Sequence, residues 1–487
     1  MKTTLRIRSI IRIMGRLVLI EAALMLLPLA VCVIYGEEDW KVFAMSSAVT
    51  GIAGLVAEIS TRGTPMSLPG REGFILTALV WWVFGLFGMI PFMTGSCSLD
   101  FTDAMFEVIS GFTTTGASMI TDVEAQSHGI LFWRAFTQWI GGLGIVFFML
   151  AVLPELNRGA GISMYNAEAT GITHDKLHPR IHQTALSVWG VYVCLTVLSV
   201  VLLWCGPMNF FDSVCQTFAA VSTGGFSTRN EGVGYWDSDY VYLVLIFVMF
   251  VAGVNFMLLY NAWKRGWREL FCNDVLKAYS RVVGLAFIVF LVAALVRGVS
   301  EGIGRIVVYP LFHIVSAVTS TGFSISEAET WGPVSLLMTL LLMLCGACAG
   351  STTGGIKVDR VVVLWRNFMN EIKKTVFPKR VYVVSLNGTS LYNSLVGRIS
   401  AFVTLYMLAI GVSALIVAMY GYSLTDSVFM VISGMGCNGL GYGATGVEGS
   451  YAFLPDGVKW LLVVDMLMGR LELFTFMVLL LPGFWRR

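Results

Sequence analysis

Gly111-Phe-Thr-Thr-Thr-Gly-Ala-Ser118 is a short, uncharged and hydroxyl-rich stretch that lies between an amphipathic run and a long apolar segment. A loop of this composition offers a cation little besides backbone carbonyl oxygens. Rings of such carbonyls bind dehydrated cations, because they replace the hydration shell of the ion. One loop cannot close a ring, so the stretch predicts a cation site only if the chain supplies further copies.

The composition is that of a membrane protein. Hydrophobic residues make up 56% of the 487 residues and charged residues only 13%, whereas a soluble domain carries about 25% charged residues. The formal net charge of +2 arises from basic residues in short runs between apolar segments, so it gives no indication of a nucleic-acid partner. We expect an all-α polytopic membrane protein whose outer surface contacts lipid.

The nine cysteines are scattered, and several lie within apolar segments. This distribution is typical of small core residues and not of a disulfide framework. Cys345 and Cys348 match C-x-x-C, but the second pair or the histidines that zinc would need are not close in sequence. We therefore expect no organic cofactor, and apart from the final span the spans lack the His/Asp/Glu cluster that a membrane-embedded enzyme would require.

A four-membered repeat follows two N-terminal spans. Each unit consists of an apolar span, a shorter half-hydrophobic helix, a Thr/Ser/Gly loop and a second apolar span. A span needs about 20 apolar residues, and the ten predicted spans are 16–35, 41–59, 73–93, 128–154, 183–205, 240–263, 281–299, 333–365, 395–420 and 458–483. The predicted divisions are 1–71 for the two N-terminal transmembrane helices, 72–160 for pore repeat 1, 161–270 for pore repeat 2, 271–380 for pore repeat 3 with an intramembrane gating loop, and 381–487 for pore repeat 4.

The spacing of three aspartates supports true repeats. Asp103, Asp212 and Asp426 each lie 13 residues before a glycine in the following loop. An aspartate in the first turn of a helix suits its positive N-terminal end. We prefer that interpretation to a catalytic one.

Four loops at equivalent positions in one chain can close a ring. Irregular backbone at membrane depth is tolerated only where it lines a cavity or is buried in protein, and glycine adopts the positive φ that inward-pointing carbonyls require. Small-residue helix packing would explain one glycine, but not four hydroxyl-rich loops that each follow a short helix. The predicted filter residues are Thr113, Thr114, Thr115, Gly116, Ser222, Thr223, Gly224, Gly225, Thr319, Ser320, Thr321, Gly322, Cys437, Asn438 and Gly439. The second loop has two candidate glycines, and the 13-residue spacing favours Gly225 over Gly224.

The distribution of Lys and Arg among short loops predicts the orientation. The basic N-terminal tail, the run 357–380 and the C-terminal Arg486 and Arg487 fall on one side if the chain crosses ten times. That side is cytoplasmic, with both termini there. The outer side then carries the acidic residues Asp100, Asp122, Glu124, Glu231, Asp237, Glu327, Glu329 and Glu448. An acidic mouth attracts cations, although outer loops of any membrane protein are poor in Lys and Arg.

The stretch Cys345-Gly-Ala-Cys-Ala-Gly-Ser-Thr-Thr-Gly-Gly-Ile-Lys357 interrupts the second span of the third repeat. Such a run of small residues should break the helix, and the freed backbone must line a cavity. It predicts a gate below the filter, with tight helix crossing as the alternative. Lys357 is expected to snorkel to the cytoplasmic interface. The predicted gating residues are Gly346, Ala349, Gly350, Ser351, Thr352, Thr353, Gly354, Gly355, Lys357 and Arg470.

Arg470 lies in the last span, within Asp465-Met-Leu-Met-Gly-Arg-Leu-Glu472. An arginine at mid-membrane costs at least about 2.5–3.5 kcal/mol, so it should face protein or water. Asp465, Glu472 or filter-side carbonyls are its possible partners. It would act either as an electrostatic barrier beside a cation pathway or in a structural salt bridge to Asp465 or Glu472. The same carboxylates leave a secondary transporter, coupling K⁺ or Na⁺ entry to an H⁺ or Na⁺ gradient, as the alternative function.

The four span–helix–loop–span units resemble the Trk/Ktr superfamily of potassium transporters. Three stretches carry the resemblance: Trp133-Arg-Ala-Phe-Thr-Gln-Trp-Ile-Gly-Gly-Leu-Gly144, Ala349-Gly-Ser-Thr-Thr-Gly-Gly-Ile-Lys357 and Gly469-Arg-Leu-Glu472. The two extra N-terminal spans make the chain similar to membrane subunits of the Trk branch.

The resemblance implies potassium uptake across the cytoplasmic (inner) membrane through a channel-like pore, with K⁺ as the transported ion. It implies a homodimer with one pore per subunit, a single-ring filter, and a cytoplasmic nucleotide-binding ring that opens the gate, with the run 357–380 as the expected contact. Family members usually have a proline after the fourth filter glycine. Leu440 stands there in this chain, so the fourth site is the one whose geometry the resemblance predicts least well.

Overall fold

Six helices in the described part of the chain are long and apolar enough to cross a bilayer. They are found in a computed structural model, which describes residues 6–65, 70–144, 181–297, 303–325, 332–442, 445–446, 450–471 and 473–485. The six are Ile7–Tyr35, Trp40–Ser60, Glu72–Thr94, Ala185–Trp204, Asp274–Val296 and Asn393–Met419. The predicted all-α polytopic membrane fold is confirmed, with one small β-hairpin added.

Each repeat contributes three kinds of helix around a common centre. The outer helices are Gly70–Gly88 with its continuation Ile90–Thr94, Ile181–Trp204, Asp274–Val296 and Asn393–Met419. The pore helices are Phe101–Phe112, Phe210–Ser222, Ile303–Val318 and Leu424–Met435. The inner helices are His128–Gly142, Asp239–Ala252, Pro333–Cys345 and Asp456–Arg470.

The remaining elements connect or flank these repeats. The N-terminal hairpin consists of Ile7–Leu24, Leu26–Tyr35 and Trp40–Ser60. The others are the 3₁₀ helix Gly232–Trp236, the helices Phe256–Arg265, Arg268–Cys272, Val358–Val376, Leu473–Leu480 and Pro482–Trp485, and the antiparallel strands Ser385–Leu386 and Thr389–Ser390.

The pore helices begin in the same way in three repeats. The side chains of Asp100, Asn209 and Ser423 accept hydrogen bonds from the backbone N–H three residues later, at 2.8, 2.7 and 3.1 Å. Those N–H groups belong to Asp103, Asp212 and Asp426. A cap of this kind satisfies one of the unpaired donors of the first turn. The three aspartates therefore lie at the positive ends of short helices, where the spacing placed them.

The inner helices are shorter than predicted, with 15, 14, 13 and 15 residues. The prediction of a continuous span at 240–263 is wrong, because the chain bends by 92° between Asp239–Ala252 and Phe256–Arg265. Asn255 causes a new helix to start there, since its Oδ1 accepts from the N–H groups of Met257 and Leu258 at 2.8 and 3.1 Å. The third inner helix ends at Cys345, as predicted, and the fourth is interrupted at Leu471. The end of the predicted span 128–154 lies outside the described residues.

The N-terminal hairpin packs on the first repeat, and its ends carry different charges. At one end Arg12 and Arg16 pair with Glu58 at 3.5 and 3.3 Å. At the other, Glu37 accepts from the backbone N of His128 at 2.8 Å, and its Oε1 lies 2.7 Å from His128 Nδ1. Glu37 thus fixes the hairpin to His128, the first residue of the first inner helix.

Candidate ion pathway

All four pore helices end in the same turn. The residues Thr114, Thr223, Ser320 and Cys437 adopt left-handed φ values of +59°, +56°, +52° and +48°. The next N–H then bonds to the carbonyl five residues earlier, in the pairs Thr115–Ser110, Gly224–Ala219, Thr321–Ser316 and Asn438–Ser433, at 2.8, 2.8, 2.9 and 2.9 Å. These bonds form a Schellman motif, which usually has glycine at the left-handed position. A non-glycine residue there is strained by roughly 1–3 kcal/mol, and such strain clusters at functional sites.

A glycine follows two residues after each strained position, and the four glycines close a ring. Gly116, Gly225, Gly322 and Gly439 all have positive φ, at +86°, +80°, +82° and +74°. A β-carbon on each would lie within 3.0 Å of a carbonyl oxygen in the next loop: Gly116 against Gly224, Gly225 against Thr321, Gly322 against Asn438, and Gly439 against Thr115. The structure therefore brings the four predicted loops, 113–116, 222–225, 319–322 and 437–439, into one closed circle. We call them loops 1 to 4.

The circle distinguishes the two glycines of loop 2. Gly225 has the positive φ of the other ring glycines, whereas Gly224 contributes a carbonyl oxygen to the contact with Gly116. Gly225 is thus the counterpart of Gly116, as the 13-residue spacing favours. The next residue in each loop is apolar and buried: Ala117, Phe226, Phe323 and Leu440 are 3%, 4%, 2% and 5% exposed. Leu440 therefore follows the pattern of the other three loops.

Hydrogen bonds from hydroxyl and amide side chains stabilise the loops. The Oγ1 atoms of Thr113 and Thr115 are 2.8 Å apart, and those of Thr319 and Thr321 are 2.7 Å apart. Across repeats, Gln138 in the first inner helix donates from Nε2 to the carbonyl of Gly224 at 2.6 Å. In loops 1 and 3 these hydroxyls bond to one another, and in loop 2 the carbonyl of Gly224 accepts from the amide.

A cavity of about 380 Å³ opens on the side of the ring where the chain continues beyond the four glycines. The four ring glycines line it together with Arg134, Arg229, Glu231 and His313, among others. Among the predicted acidic residues, Glu231 lies in this lining and Asp122 accepts from Asn230 Nδ2 at 2.9 Å. That hydrogen bond lowers the pKa of the Asp122 carboxyl. Glu327, Glu329 and Glu448 lie outside the described residues.

A buried ion pair behind loop 1 was not foreseen from the sequence. Arg134 Nε lies 2.7 Å from Glu107 Oε1, and the two side chains are 3% and 0% exposed. The guanidinium also donates to Ser118 Oγ at 3.0 Å and to the carbonyl of Ser227 at 3.1 Å. The available signal was a charged residue in the middle of a pore helix and another in the middle of an inner helix, since charges at membrane depth require partners.

The segment 346–357 lies directly beneath the ring. Thr223 Oγ1 donates to Thr352 Oγ1 at 3.1 Å, and the backbone N of Gly354 donates to Ser320 Oγ at 2.7 Å. A β-carbon on Gly354 would lie within 3.0 Å of the carbonyl of Gly436. The segment therefore touches the ends of three of the four pore helices, in agreement with its predicted position below the loops.

Polar contacts hold the lower side of this segment. Asn255 Nδ2 donates to the carbonyl of Ala349 at 2.7 Å, and Asp359 accepts from the backbone N of Ala349 at 2.8 Å. Lys357 ends the segment with a φ of +76° and is only 6% exposed. The expectation that Lys357 snorkels to the interface is therefore wrong, because its side chain is buried within the protein.

Arg470 connects the segment to the first repeat. Its Nη1 donates to the carbonyl of Thr352 at 2.8 Å, and its Nη2 donates to the carbonyls of Gly142, at 2.6 Å, and Gly141. Asp465, a possible ion-pair partner, instead accepts from Ser413 in the outer helix of the fourth repeat at 2.9 Å. Glu472 lies outside the described residues.

The chain matches known proteins over nearly its whole length. The TrkH family, described as "Cation transport protein", matches residues 40–483. The chain is 33% identical to the Trk system potassium uptake protein TrkH of Escherichia coli, covering 98% of this chain and 99% of that protein. It is 32% identical to the protein of the same name from Halomonas elongata, covering 99% and 100%. The crystal structure of the potassium transporter TrkH from Vibrio parahaemolyticus superposes with a TM-score of 0.89 at 30% identity, covering 99% of this chain and 100% of that one.

Proposed function

The chain belongs to the TrkH family of cation transport proteins, and from this membership we propose that it carries potassium ions into the cell across the cytoplasmic membrane. The relatives that cover the whole chain are named potassium uptake proteins. The chain itself is a multi-pass membrane protein, with six apolar helices long enough to span a bilayer among the described residues. In the orientation that the basic loops favour, both termini are cytoplasmic and the cavity above the ring faces outward.

One observation carries the proposed filter: each ring glycine abuts the carbonyl of the residue before the next ring glycine. Four backbone carbonyls are thereby gathered around one axis, those of Thr115, Gly224, Thr321 and Asn438. Such a set can replace the hydration shell of a dehydrated K⁺. The four pore helices end at the ring, and a helix C-terminus carries about half a negative charge, which favours a cation there. Selectivity is thus proposed to come from backbone geometry, with the side chains holding that geometry.

The segment 346–357 is the proposed gate, with Arg470 holding it closed. In the described state its backbone lies under the ring and is tied to Thr223, Ser320 and Arg470. Opening requires these bonds to break, and the glycines at 346, 350, 354 and 355 supply a flexible backbone. Arg470 also places a positive charge beside the pathway, which opposes a cation while the segment is in place. The charge of Arg470 and its hydrogen bond to the segment thus both oppose ion passage.

The proposed partners are a second copy of the chain and a cytoplasmic nucleotide-binding ring. The helix Val358–Val376 follows the gate directly, so a partner that moves this helix would pull on the segment. Its surface exposes Trp365, Phe368 and Ile372 at 61%, 54% and 47%, and Lys373 and Lys374 lie in its last turn. An exposed apolar surface rimmed by polar residues marks a contact with a protein or with the membrane, and we take the protein partner as the occupant here.

The decisive test is growth at low potassium of a cell that lacks its own potassium uptake. Expression of the full chain should restore growth and produce ⁸⁶Rb⁺ uptake, while an empty vector should not. A chain that inserts in the membrane but restores neither would overturn the proposal. Uptake that ignores imposed pH and sodium gradients would exclude the coupled secondary transporter.

A further inference from the structure

The Glu107–Arg134 pair joins two neighbouring loops on the outer side of the ring. Glu107 comes from the first pore helix and Arg134 from the first inner helix. Ser118, two residues after Gly116, donates to Glu107 Oε1 at 3.1 Å, and the backbone N of Met119 donates to Oε2 at 2.6 Å. The guanidinium reaches the Ser227 carbonyl of the second repeat at 3.1 Å and lies 4.2 Å from the centre of the Phe226 ring. Every polar contact of the pair thus falls on the backbone or serine just beyond a ring glycine.

The second repeat makes the equivalent tie without any charge. Glu107 and Gln216 both lie nine residues before their ring glycine, and Ser118 and Ser227 both lie two residues after it. Gln216 Nε2 donates to Ser227 Oγ at 2.8 Å. An uncharged amide is therefore sufficient to hold the serine beyond a ring glycine, so holding Ser118 does not explain why the first repeat has an ion pair there. The ion pair of the second repeat, between Asp212 and Arg229, lies at the residues that follow Ser227.

The position of Arg134 supplies the explanation. Its side chain lines the cavity on which the four ring glycines open. An uncompensated positive charge there would repel cations from the ring, because low-dielectric walls focus the field of a fixed charge into a cleft. Glu107 cancels that charge at 2.7 Å. Arg229, the other arginine of the lining, is likewise compensated by Asp212 at 3.1 Å.

We propose that Glu107 and Arg134 form a specificity-determining pair at the outer mouth of the ring, in which Arg134 clamps loops 1 and 2 together and Glu107 removes its charge from the ion's path. The proposal rests on the proposed function, since it takes the ring and cavity as a cation pathway. It assigns different effects to the two residues. Loss of Glu107 weakens cation entry, whereas loss of Arg134 loosens the register between the two loops.

The test compares Glu107→Gln, Arg134→Gln and the double variant, each in the full chain reconstituted in lipid vesicles. The concentration dependence of ⁸⁶Rb⁺ uptake and its inhibition by Na⁺ are measured. Glu107→Gln should raise the half-saturating Rb⁺ concentration by about tenfold, because it leaves the guanidinium unneutralised beside the path. Arg134→Gln should not raise it but should weaken discrimination against Na⁺. The double variant should return to within about threefold of the parental half-saturating concentration, because no net charge remains.

Gln216→Leu is the matched control, because it removes the equivalent tie of the second repeat without changing charge. It should raise the half-saturating concentration by less than Glu107→Gln does, because it leaves no uncompensated charge beside the path. If Glu107→Gln, Arg134→Gln and the double variant all lower only the maximal uptake, the pair is a scaffold and the proposal is wrong.

Variants that fail to accumulate are replaced by Glu107→Asp and Arg134→Lys, which keep both charges but alter the clamp. They should keep the parental half-saturating concentration and lose Na⁺ discrimination; parental discrimination in both would overturn the clamp. A parent chain that shows no ⁸⁶Rb⁺ uptake would refute the proposed function itself. Parental uptake with unchanged variants would refute only the role of the pair.

Discussion

Loops 1 and 4 have the same backbone and different surroundings. The left-handed residues Thr114 and Cys437 have φ values of +59° and +48°, and the ring glycines Gly116 and Gly439 have +86° and +74°. Their sequences share little besides that glycine. The ring is therefore set by backbone conformation and by the contact between glycine and carbonyl, and the side chains around it are free to differ between repeats.

The side chains do differ, in a way that places charge at opposite ends of the pathway. The position of Glu107 is taken by Met430 in the fourth repeat, and the position of Ser118 by Gly441, where a β-carbon would lie within 3.0 Å of the Thr445 carbonyl. In the inner helices, Gly141 abuts the carbonyl of Phe112 just as Gly469 abuts that of Met435. Arg470 thus occupies the place of Gly142. The first repeat carries its arginine above the ring and the fourth carries it below.

The largest expected effect tests the shared backbone. Gly116→Ser and Gly439→Ser should each reduce discrimination between K⁺ and Na⁺ by more than about tenfold, because carbonyl rings select ions by their geometry and both β-carbons would lie within 3.0 Å of a neighbouring carbonyl. Competition between ⁸⁶Rb⁺ and Na⁺ for uptake measures this discrimination. Gly397→Ser is the control, since nothing lies within 4 Å of a β-carbon there. Serine tolerated at 439 but not at 116 would break the equivalence of the two loops.

A smaller effect tests the arginine below the ring. Arg470→Gln removes the charged donor to the carbonyls of Thr352 and Gly142, and hydrogen bonds to charged groups stabilise by about 1.5–3 kcal/mol. Basal ⁸⁶Rb⁺ leak in the absence of any partner should therefore rise severalfold. Arg398→Gln, at an exposed position of the fourth outer helix, changes the same charge and should not alter the leak. A leak equal to the parental one would show that Arg470 does not hold the gate closed.

The smallest expected effect tests the side-chain supports. Gln216→Leu should lower the free energy of unfolding by about 1–2 kcal/mol, because it removes a buried hydrogen bond. Met430→Leu, the counterpart in the fourth repeat, replaces one apolar side chain by another of similar volume and should cost less than about 1.5 kcal/mol. Thermal unfolding in detergent compares the two. A larger loss from Met430→Leu would mean that loop 4 depends on its apolar packing as much as loop 2 does on its amide.

The sequence predicted the features that local composition determines. Glycine and hydroxyl residues at fixed spacing identified the four loops and favoured Gly225, and a run of small residues identified the break after Cys345. Both signals are local because positive φ and helix breaking are properties of the residues themselves. Leu440, where a proline was expected by resemblance, is buried like its three counterparts, and its effect on the fourth site stays a prediction.

Contacts between distant residues were not predictable from one sequence. Arg134 finds Glu107 at a separation of 27 residues, and Arg470 finds Thr352 and Gly142 at separations of 118 and 328. The order in which each glycine meets the next loop likewise depends on how the repeats assemble. The 92° bend after Ala252 was missed because a single helix-capping Asn255 produces it within an otherwise apolar run.

The short inner helices have an electrical consequence. At 13 to 15 residues, each is about 20 Å long, whereas the hydrocarbon core of a bilayer is about 30 Å thick. Each inner helix is therefore shorter than the hydrocarbon core, and in the proposed pore the membrane voltage would act on a cation at the carbonyl ring and the segment beneath it. An elementary charge crossing 100 mV gains about 2.3 kcal/mol, equivalent to roughly fiftyfold accumulation of a monovalent cation inside a negative cell. In the proposed pore, displacement of the segment 346–357 would be enough for the membrane voltage to drive the ion inward.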